Sequence, residues 1–429
     1  MIIDSLKNAW KVAELRKKIG FTLLMFLIFR IGAHIPIPFI NHDTLKNMVG
    51  SGSIFDFLDT FSGGSFKRFT VFALSITPYI TASIILQLLT IVLPSLERLA
   101  KEGEFGRKKI TQYTRYGTVV LGFVQGLGLT LGLRAALVIP SPNLRWPIYL
   151  LVTLILTAGT AFLMWLGERI TEKGIGNGIS LIIFAGIVAR VPDGLKYIWG
   201  LLKVGEIGAL SVFGLLLIGA GIIAGVVFIQ EGQRRVQVQY AKRVVGRRVY
   251  GGQTSHIPLK VNQAGVIPII FAISLLAFPG TIGTWMPATS SYAQFVNRWL
   301  TMNGTVYSIP YLIVYAMLII FFTYFYTAVT FNPVDVADNI KKYGGFIPGL
   351  RPGRATSDYL AKILSRLTLA GGLFLALIAV LPSLIIGLTG IKNIYLGGTS
   401  LLIVVSVALE TMKQLESMLM QRHYQGFMK

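Results

Sequence analysis

The chain has 429 residues, 53% hydrophobic and only 14% charged, with 40 Lys/Arg against 18 Asp/Glu for a net charge of +22. It has no cysteine, which excludes disulfides, thiol catalysis and cysteine metal sites, and its four histidines lack metal-ligand spacing. It has no Gly-Lys dipeptide, so it is not a P-loop ATPase.

Residues 1–18 read as a basic amphipathic helix at a membrane surface, with Leu6, Trp10 and Ala13 beside Lys17 and Lys18. No cleavable signal peptide is expected, because the apolar run from Ile19 is too long for an h-region. Ten segments can span a bilayer. They are Ile19–Pro38, Thr70–Leu93, Tyr116–Leu137, Pro147–Gly167, Gly178–Trp199, Ala209–Ile229, Ala264–Trp285, Val306–Val329, Leu367–Leu388 and Tyr395–Leu415. Taking the N-terminus as cytoplasmic, and counting Arg134, Arg190, Lys196 and Lys413 with the side they lie nearer, puts 29 Lys/Arg on the cytoplasmic side and 10 outside, with Arg30 inside the first span. That bias predicts that both termini are cytoplasmic, and it explains most of the basicity without nucleic acid. Arg30 is either a site or a structural arginine bonding the loops near Pro36 and Pro38.

Between the first two spans, Ser53–Gly64 reads as a short helix. Ile54, Phe57, Leu58 and Phe61 share one face, Asp56, Asp59 and Thr60 the other; Ser53 and Asp56 resemble a capping box, and Gly63-Gly64 ends the helix. At ~15 Å it covers about half a bilayer core. It either sits in a wet funnel within the protein or lies on the membrane surface.

The segment Pro94–Arg115 reads as a basic cytoplasmic loop, and Gly122/Gly126 and Gly128/Gly132 in the third span as a close helix-packing face. Gly176-Asn177-Gly178 reads as a tight turn rather than a nucleotide loop, since no strand precedes it. Five spans precede the link at 199–209 and five follow, so the halves have opposite topology, an inverted repeat. Pro78 and Pro268, read as mid-membrane prolines in the second and seventh spans, and glycine-rich turns before the fifth and tenth, occupy matched places in the halves.

Two long cytoplasmic loops follow. Residues 230–262 alternate as a hairpin, and 331–366 read as a helix Pro333–Tyr343, a rigid tip to Gly353, and a capped helix from Thr356. They serve as docking posts for acidic protein or RNA phosphates, or else only exaggerate the topology signal. Spans nearly free of Asp, Glu and His (Glu410 is the main exception) argue against an ion-coupled carrier and leave a passive conduit. Ile76/Ile80 and Ile179/Ile183 stand at i, i+4 and could form a water-excluding constriction, although such isoleucines are ordinary in membrane helices. A small-solute secondary transporter and a membrane scaffold for ribosomes are the competing classes.

Several runs resemble the SecY family, the central subunit of the bacterial protein-export translocon. They are Thr77-Pro78-Tyr79-Ile80 through Gln87, Gln112 to Thr118, Ile170 to Ser180, Arg247 to Tyr250, Pro258 to Gly265, Phe346 to Gly353 and Gly397 to Ile403. The match runs in order along nearly the whole chain. The resemblance implies an all-α membrane protein of ten transmembrane helices in two inverted five-helix halves, residues 1–199 and 200–429, around a pore with a short re-entrant plug. The plug would be residues 53–64, with Ile54, Phe55, Phe57, Leu58, Phe61, Gly63 and Gly64. The pore ring would be Ile76, Ile80, Ile179, Ile183, Ile270 and Ile403. The lateral gate would lie between the second and third spans and the seventh and eighth, with Thr81, Gln87, Gln125, Asn262 and Phe278. Docking would use Arg243, Arg247, Arg248 and Arg351. The implied partners are SecE, SecG, the ATPase SecA, ribosomes, preprotein signal sequences and membrane lipids, without DNA. No cofactor, metal or catalytic residue is implied, and the implied location is the bacterial inner membrane. The external loop Thr284–Ser308 carries no signature.

Overall fold

The computed structural model describes residues 10–41, 43–45, 59, 62–205, 208–240, 243–245, 248–250, 254–286, 290–299, 302–303, 306–307, 309–389 and 398–426. Each of the ten predicted spans coincides with helix. The first is α1 (Ala13–Gly32), which ends when the Ala33 N–H bonds to Phe29 and Ile31. It therefore starts before Ile19, within the predicted interfacial stretch, and stops short of Pro36 and Pro38.

The second span begins at Thr77, not Thr70: α2 covers Thr77–Val92 with Pro78 in its first turn, while Thr70 bridges to Pro36 and residues 71–76 are turns. Proline lacks an N–H and biases the preceding residue away from helix, so it starts helices well. Pro268 does the same for the helix Ile267–Trp285, so both matched prolines start helices and neither kinks one. The segment after Leu93 is helical, contrary to the predicted loop. α3 (Pro94–Lys101) leaves α2 at 100°, and α4 (Glu104–Gly132) starts at the left-handed Gly103. On α3 the exposed Glu97 carboxyl is held below its usual range by a hydrogen bond from Lys101.

α4 is 29 residues and pairs with α5 (Arg145–Lys173), also 29, each ~43 Å long. The glycines of α4 serve this contact: a Cβ at Gly126 would lie 3.5 Å from the Thr153 carbonyl oxygen. The fifth span divides into α6 (Gly178–Val188) and α7 (Val191–Val204), because Pro192 starts a new helix. Asn177 caps α6, accepting from the Ile179 and Ser180 N–H groups.

The sixth span is α8 (Ala209–Glu231), largely exposed along its length, with Leu210 at 83% and Phe228 at 77%. Its all-round apolar surface suits lipid. Then come α9 (Ile267–Trp285), α10 (Ser291–Trp299), α11 (Ile309–Thr330), α12 (Pro333–Lys342), α13 (Arg354–Thr389) and α14 (Gly398–Gly426). The loop 284–308 thus holds a helix, followed by a two-residue ladder of β5 (Met302–Asn303) on β6 (Val306–Tyr307). The eighth span starts at Ile309 rather than Val306, again next to a proline, Pro310. The capped helix of the second loop starts at Arg354 rather than Thr356.

By length and hydropathy alone, five helices among the described residues pass as spans, and a sixth if the bent pair α2–α3 counts as one. α1, α4 and α14 carry charged ends beyond their apolar stretches.

The two long loops, 230–262 and 331–366, merge. β1 (Gln233–Tyr240) pairs antiparallel with β4 (Thr254–Lys260) in the register Gln233↔Lys260 to Gln239↔Thr254, as the alternation predicted. β2 (Arg243–Val245) and β3 (Arg248–Tyr250) form a second ladder at the tip, and β7 (Gly345–Phe346), which follows β5 (Met302–Asn303) and β6 (Val306–Tyr307) in the chain, joins the other edge of β1. Val236, Val238 and Leu259 bury against Ile340 of α12 and Leu360 of α13. The Arg351 tip and the hairpin are therefore one body.

Candidate functional site: an apolar ring beneath a polar funnel

Two seams join the first five spans to the last five. α9 packs on both α2 and α4, and α14 packs on α6. Both seams meet at one apolar cluster. Ile76, Ile183, Ile270 and Ile403 are buried in it, and Ile80 and Ile179 pack against it, so all six predicted ring residues belong to one large apolar cluster. Ile76 caps α2, Ile80 follows one turn later, Ile179 and Ile183 lie on α6, Ile270 on α9 and Ile403 on α14.

Close backbone contact fixes the α6 pair. The turn Gly174–Gly178 brings α6 back against α5 so tightly that a Cβ on Gly178 would overlap the Gly167 carbonyl oxygen. Gly176 at φ +81° lies where a side chain would press on Leu181 and Thr411. Those glycines are needed for the isoleucines to reach the ring.

Above the ring lies a cavity of about 770 Å³. Ile80, Ile179, Ile183 and Ile270 form its base. Its walls carry polar groups beside Trp165, Ile267 and Phe271: Ser83 and Gln87 from α2, Thr111 and Arg115 from α4, Glu168, Arg169 and Glu172 from α5, with Tyr79 and Tyr326. Arg115 donates from Nε to Glu168 Oε1 at 2.9 Å, and its Nη2 lies 2.8 Å from Oε2. A wet funnel closed by branched aliphatics can exclude water and ions at its base yet deform around an extended chain.

The other predicted residues are dispersed. Gln87 lines the funnel and donates to Ser83 Oγ at 3.3 Å. The Thr81 hydroxyl donates to the Thr77 carbonyl, and Gln125 is buried on α4. Asn262 is buried in the turn before α9 and donates to the Gly265 carbonyl at 3.0 Å. Phe278 lies on α9, but its side chain is outside the described residues, as are those of Arg243 and Arg248 on their strands. Arg351 is exposed at its tip.

Of the predicted plug, Ile54, Phe55, Phe57, Leu58 and Phe61 lie outside the described residues, and so does Arg247. Gly63 and Gly64 have φ +67° and +85°, the left-handed geometry expected of a helix end. Arg30 donates to the Gly63 carbonyl at 3.4 Å, so it bonds this segment rather than the loops near Pro36 and Pro38. Sequence reasoning missed two features, the Arg115–Glu168 pair and an ion pair of Arg190 with Asp59, Nη1 to Oδ2 3.1 Å. Neither has a local sequence signal.

A profile of the SecY family matches residues 70–412. The protein translocase subunit SecY of Halalkalibacterium halodurans is 50% identical over 434 residues, covering 99% of each chain. The same subunit of Bacillus subtilis is 48% identical over 438 residues, covering all of both. Among solved structures, one described as a protein conducting channel aligns with TM-score 0.70 at 20% identity, over 94% of this chain and 92% of that one. Sec61 in a canine ribosome-channel complex from the endoplasmic reticulum aligns with TM-score 0.65 at 20% identity over the same shares.

Proposed function

This chain belongs to the SecY family, and from that premise we propose how its funnel and ring conduct polypeptide. It is the protein-conducting channel of a translocon, a multi-pass membrane protein in a family of channel subunits rather than enzymes. Nothing supports a small-solute carrier; the relatives are protein translocase subunits.

In the proposed path, an unfolded chain enters the polar funnel, where Arg115, Glu168, Ser83 and Gln87 keep its backbone and charges hydrated. It then passes Ile76, Ile80, Ile179, Ile183, Ile270 and Ile403, which close around it and exclude ions. Residues 1–199 and 200–429 act as two halves that separate along the α9 seam with α2 and α4, so that an apolar segment reaches lipid past Thr81, Gln87, Gln125, Asn262 and Phe278. The segment 53–64 plugs the resting pore.

No P-loop exists in the chain, so the driving energy comes from outside: the ATPase SecA or a ribosome, docking on Arg243, Arg247, Arg248 and Arg351. SecE and SecG complete the complex. The Lys/Arg bias supports a bacterial inner-membrane channel with cytoplasmic termini.

The observation that carries this reading is that Ile80, Ile179, Ile183 and Ile270 line the base of the funnel and share one apolar cluster with Ile76 and Ile403. The test uses the cysteine-free chain. Ile183→Cys is reconstituted with SecE and SecA, and a half-exported precursor is trapped. Cross-linking to that thiol that needs ATP and precursor is the expected result. Cross-linking only from thiols at Arg248 or Arg351 would mean that the loops recruit while another protein conducts.

A further inference from the structure

Beyond the ring, on the side away from the funnel, the end of the plug segment is gripped by the pore wall. Ile179, Ile183, Gly186 and Arg190 follow one another at four, three and four residues, a single stripe on the helical path of α6 into α7. The lower two residues belong to the ring. The upper two contact Gly63 and Asp59. A Cβ on Gly63 would lie 2.8 Å from the Gly186 Cα, so the two backbones touch. Arg190 Nη1 lies 3.1 Å from Asp59 Oδ2, with the Asp59 side chain fully buried and that of Arg190 12% exposed. Asp59 Oδ1 also accepts the Lys67 N–H at 2.8 Å, and Arg30 reaches the Gly63 carbonyl. Arg68 and Asp193 are the other charged groups close enough to act on Arg30.

We propose that Arg190 is a positioning residue for the plug: its ion pair with Asp59 holds the plug's C-terminal end against the pore wall in the closed channel, and the pair parts when the channel opens. This rests on the reading of residues 53–64 as a plug. A chain threading past Ile183 continues along the same stripe, about 10 Å further to Arg190. Asp59 and Gly63 lie against that stripe, so they move aside before anything passes. An interaction made only in the closed state weights the equilibrium toward that state by its own free energy. A buried charge left without its partner loses that bias entirely.

The test is made on the full complex in proteoliposomes. Asp59→Asn and Arg190→Gln are each expected to raise resting ion conductance by about tenfold and to admit precursors with weakened signal sequences. Arg190→Lys, which keeps the charge, is expected to stay tight. As a second measurement, Asp59→Cys/Arg190→Cys is bridged with dibromobimane. Bridging is expected to block export, while the same unbridged complex exports. Conductance and stringency unchanged in both neutral variants would overturn the latch, and so would undiminished export through the bridged complex. Either failure, with normal cross-linking at Ile183→Cys, falls on the latch alone. Loss of that cross-link falls on the channel reading.

Discussion

Arg115 and Glu168 form a two-point contact across the α4–α5 interface, 2.9 and 2.8 Å on its two arms, at the wall of the funnel. The side chains are 50% and 23% exposed, so solvent screens the pair. Glu168→Gln is therefore expected to lower stability by no more than ~1 kcal/mol. Its larger effect is electrostatic. An unneutralised Arg115 makes the funnel more positive, so a lysine-rich precursor is expected to cross more slowly than an acidic one of equal length. Translocation rates of such a pair of precursors check this, and equal slowing of both would remove the charge argument.

The ring predicts a leak. Ile80 and Ile183 both face the base of the funnel. Changing both to Asn places two hydrogen-bonding groups in a constriction that stays dry because it has none. Resting conductance of vesicles carrying Ile80→Asn/Ile183→Asn is expected to rise, with the complex still assembled. A conductance equal to that of the parent channel would count against the ring.

Glycines with different surroundings predict opposite outcomes for one change. A Cβ at Gly178 would overlap the Gly167 carbonyl, whereas Gly214, on the lipid-suited α8, has nothing within 4 Å. Gly178→Ala is expected to destabilise by ~3 kcal/mol or more, because two backbones must separate. Gly214→Ala is expected to be neutral or to stabilise by ~0.5–1 kcal/mol through helix propensity. Thermal unfolding in detergent separates the two.

The spans were legible because hydropathy over about twenty residues needs no tertiary information, and the β1–β4 hairpin because residues 233–240 alternate. Helix starts were equally available, since Pro78, Pro192, Pro268 and Pro310 each stand in a first turn. Composition windows blurred them, which is why Thr70 and Val306 were included in spans. The loop around α3 was misread because its charges hid a strongly amphipathic turn pattern. The funnel pair was not legible: Arg115 and Glu168 are 53 residues apart and meet only through the packing of two long helices. Asp59 and Arg190 are likewise joined only by the fold, and Asp59 looked like the polar face of a surface helix.

Docking through the second loop gives the last prediction. Arg351 stands exposed between Gly349 at φ +82° and Gly353 at φ +103°, and the Thr356 hydroxyl donates to its carbonyl at 3.0 Å. Its backbone is held by glycines and a threonine, so the guanidinium is free to be changed without unfolding the tip. Beneath it, β7 is tied to β1, which keeps the tip in register with the hairpin. Arg351→Glu is expected to leave SecE co-purification intact and to abolish motor-driven export. An arginine at the centre of an interface is worth ~2 kcal/mol or more, about thirtyfold in affinity. Import of a precursor into inverted vesicles with added SecA measures it. Export at the parent rate would remove Arg351 from the docking surface and leave the basic hairpin to carry it.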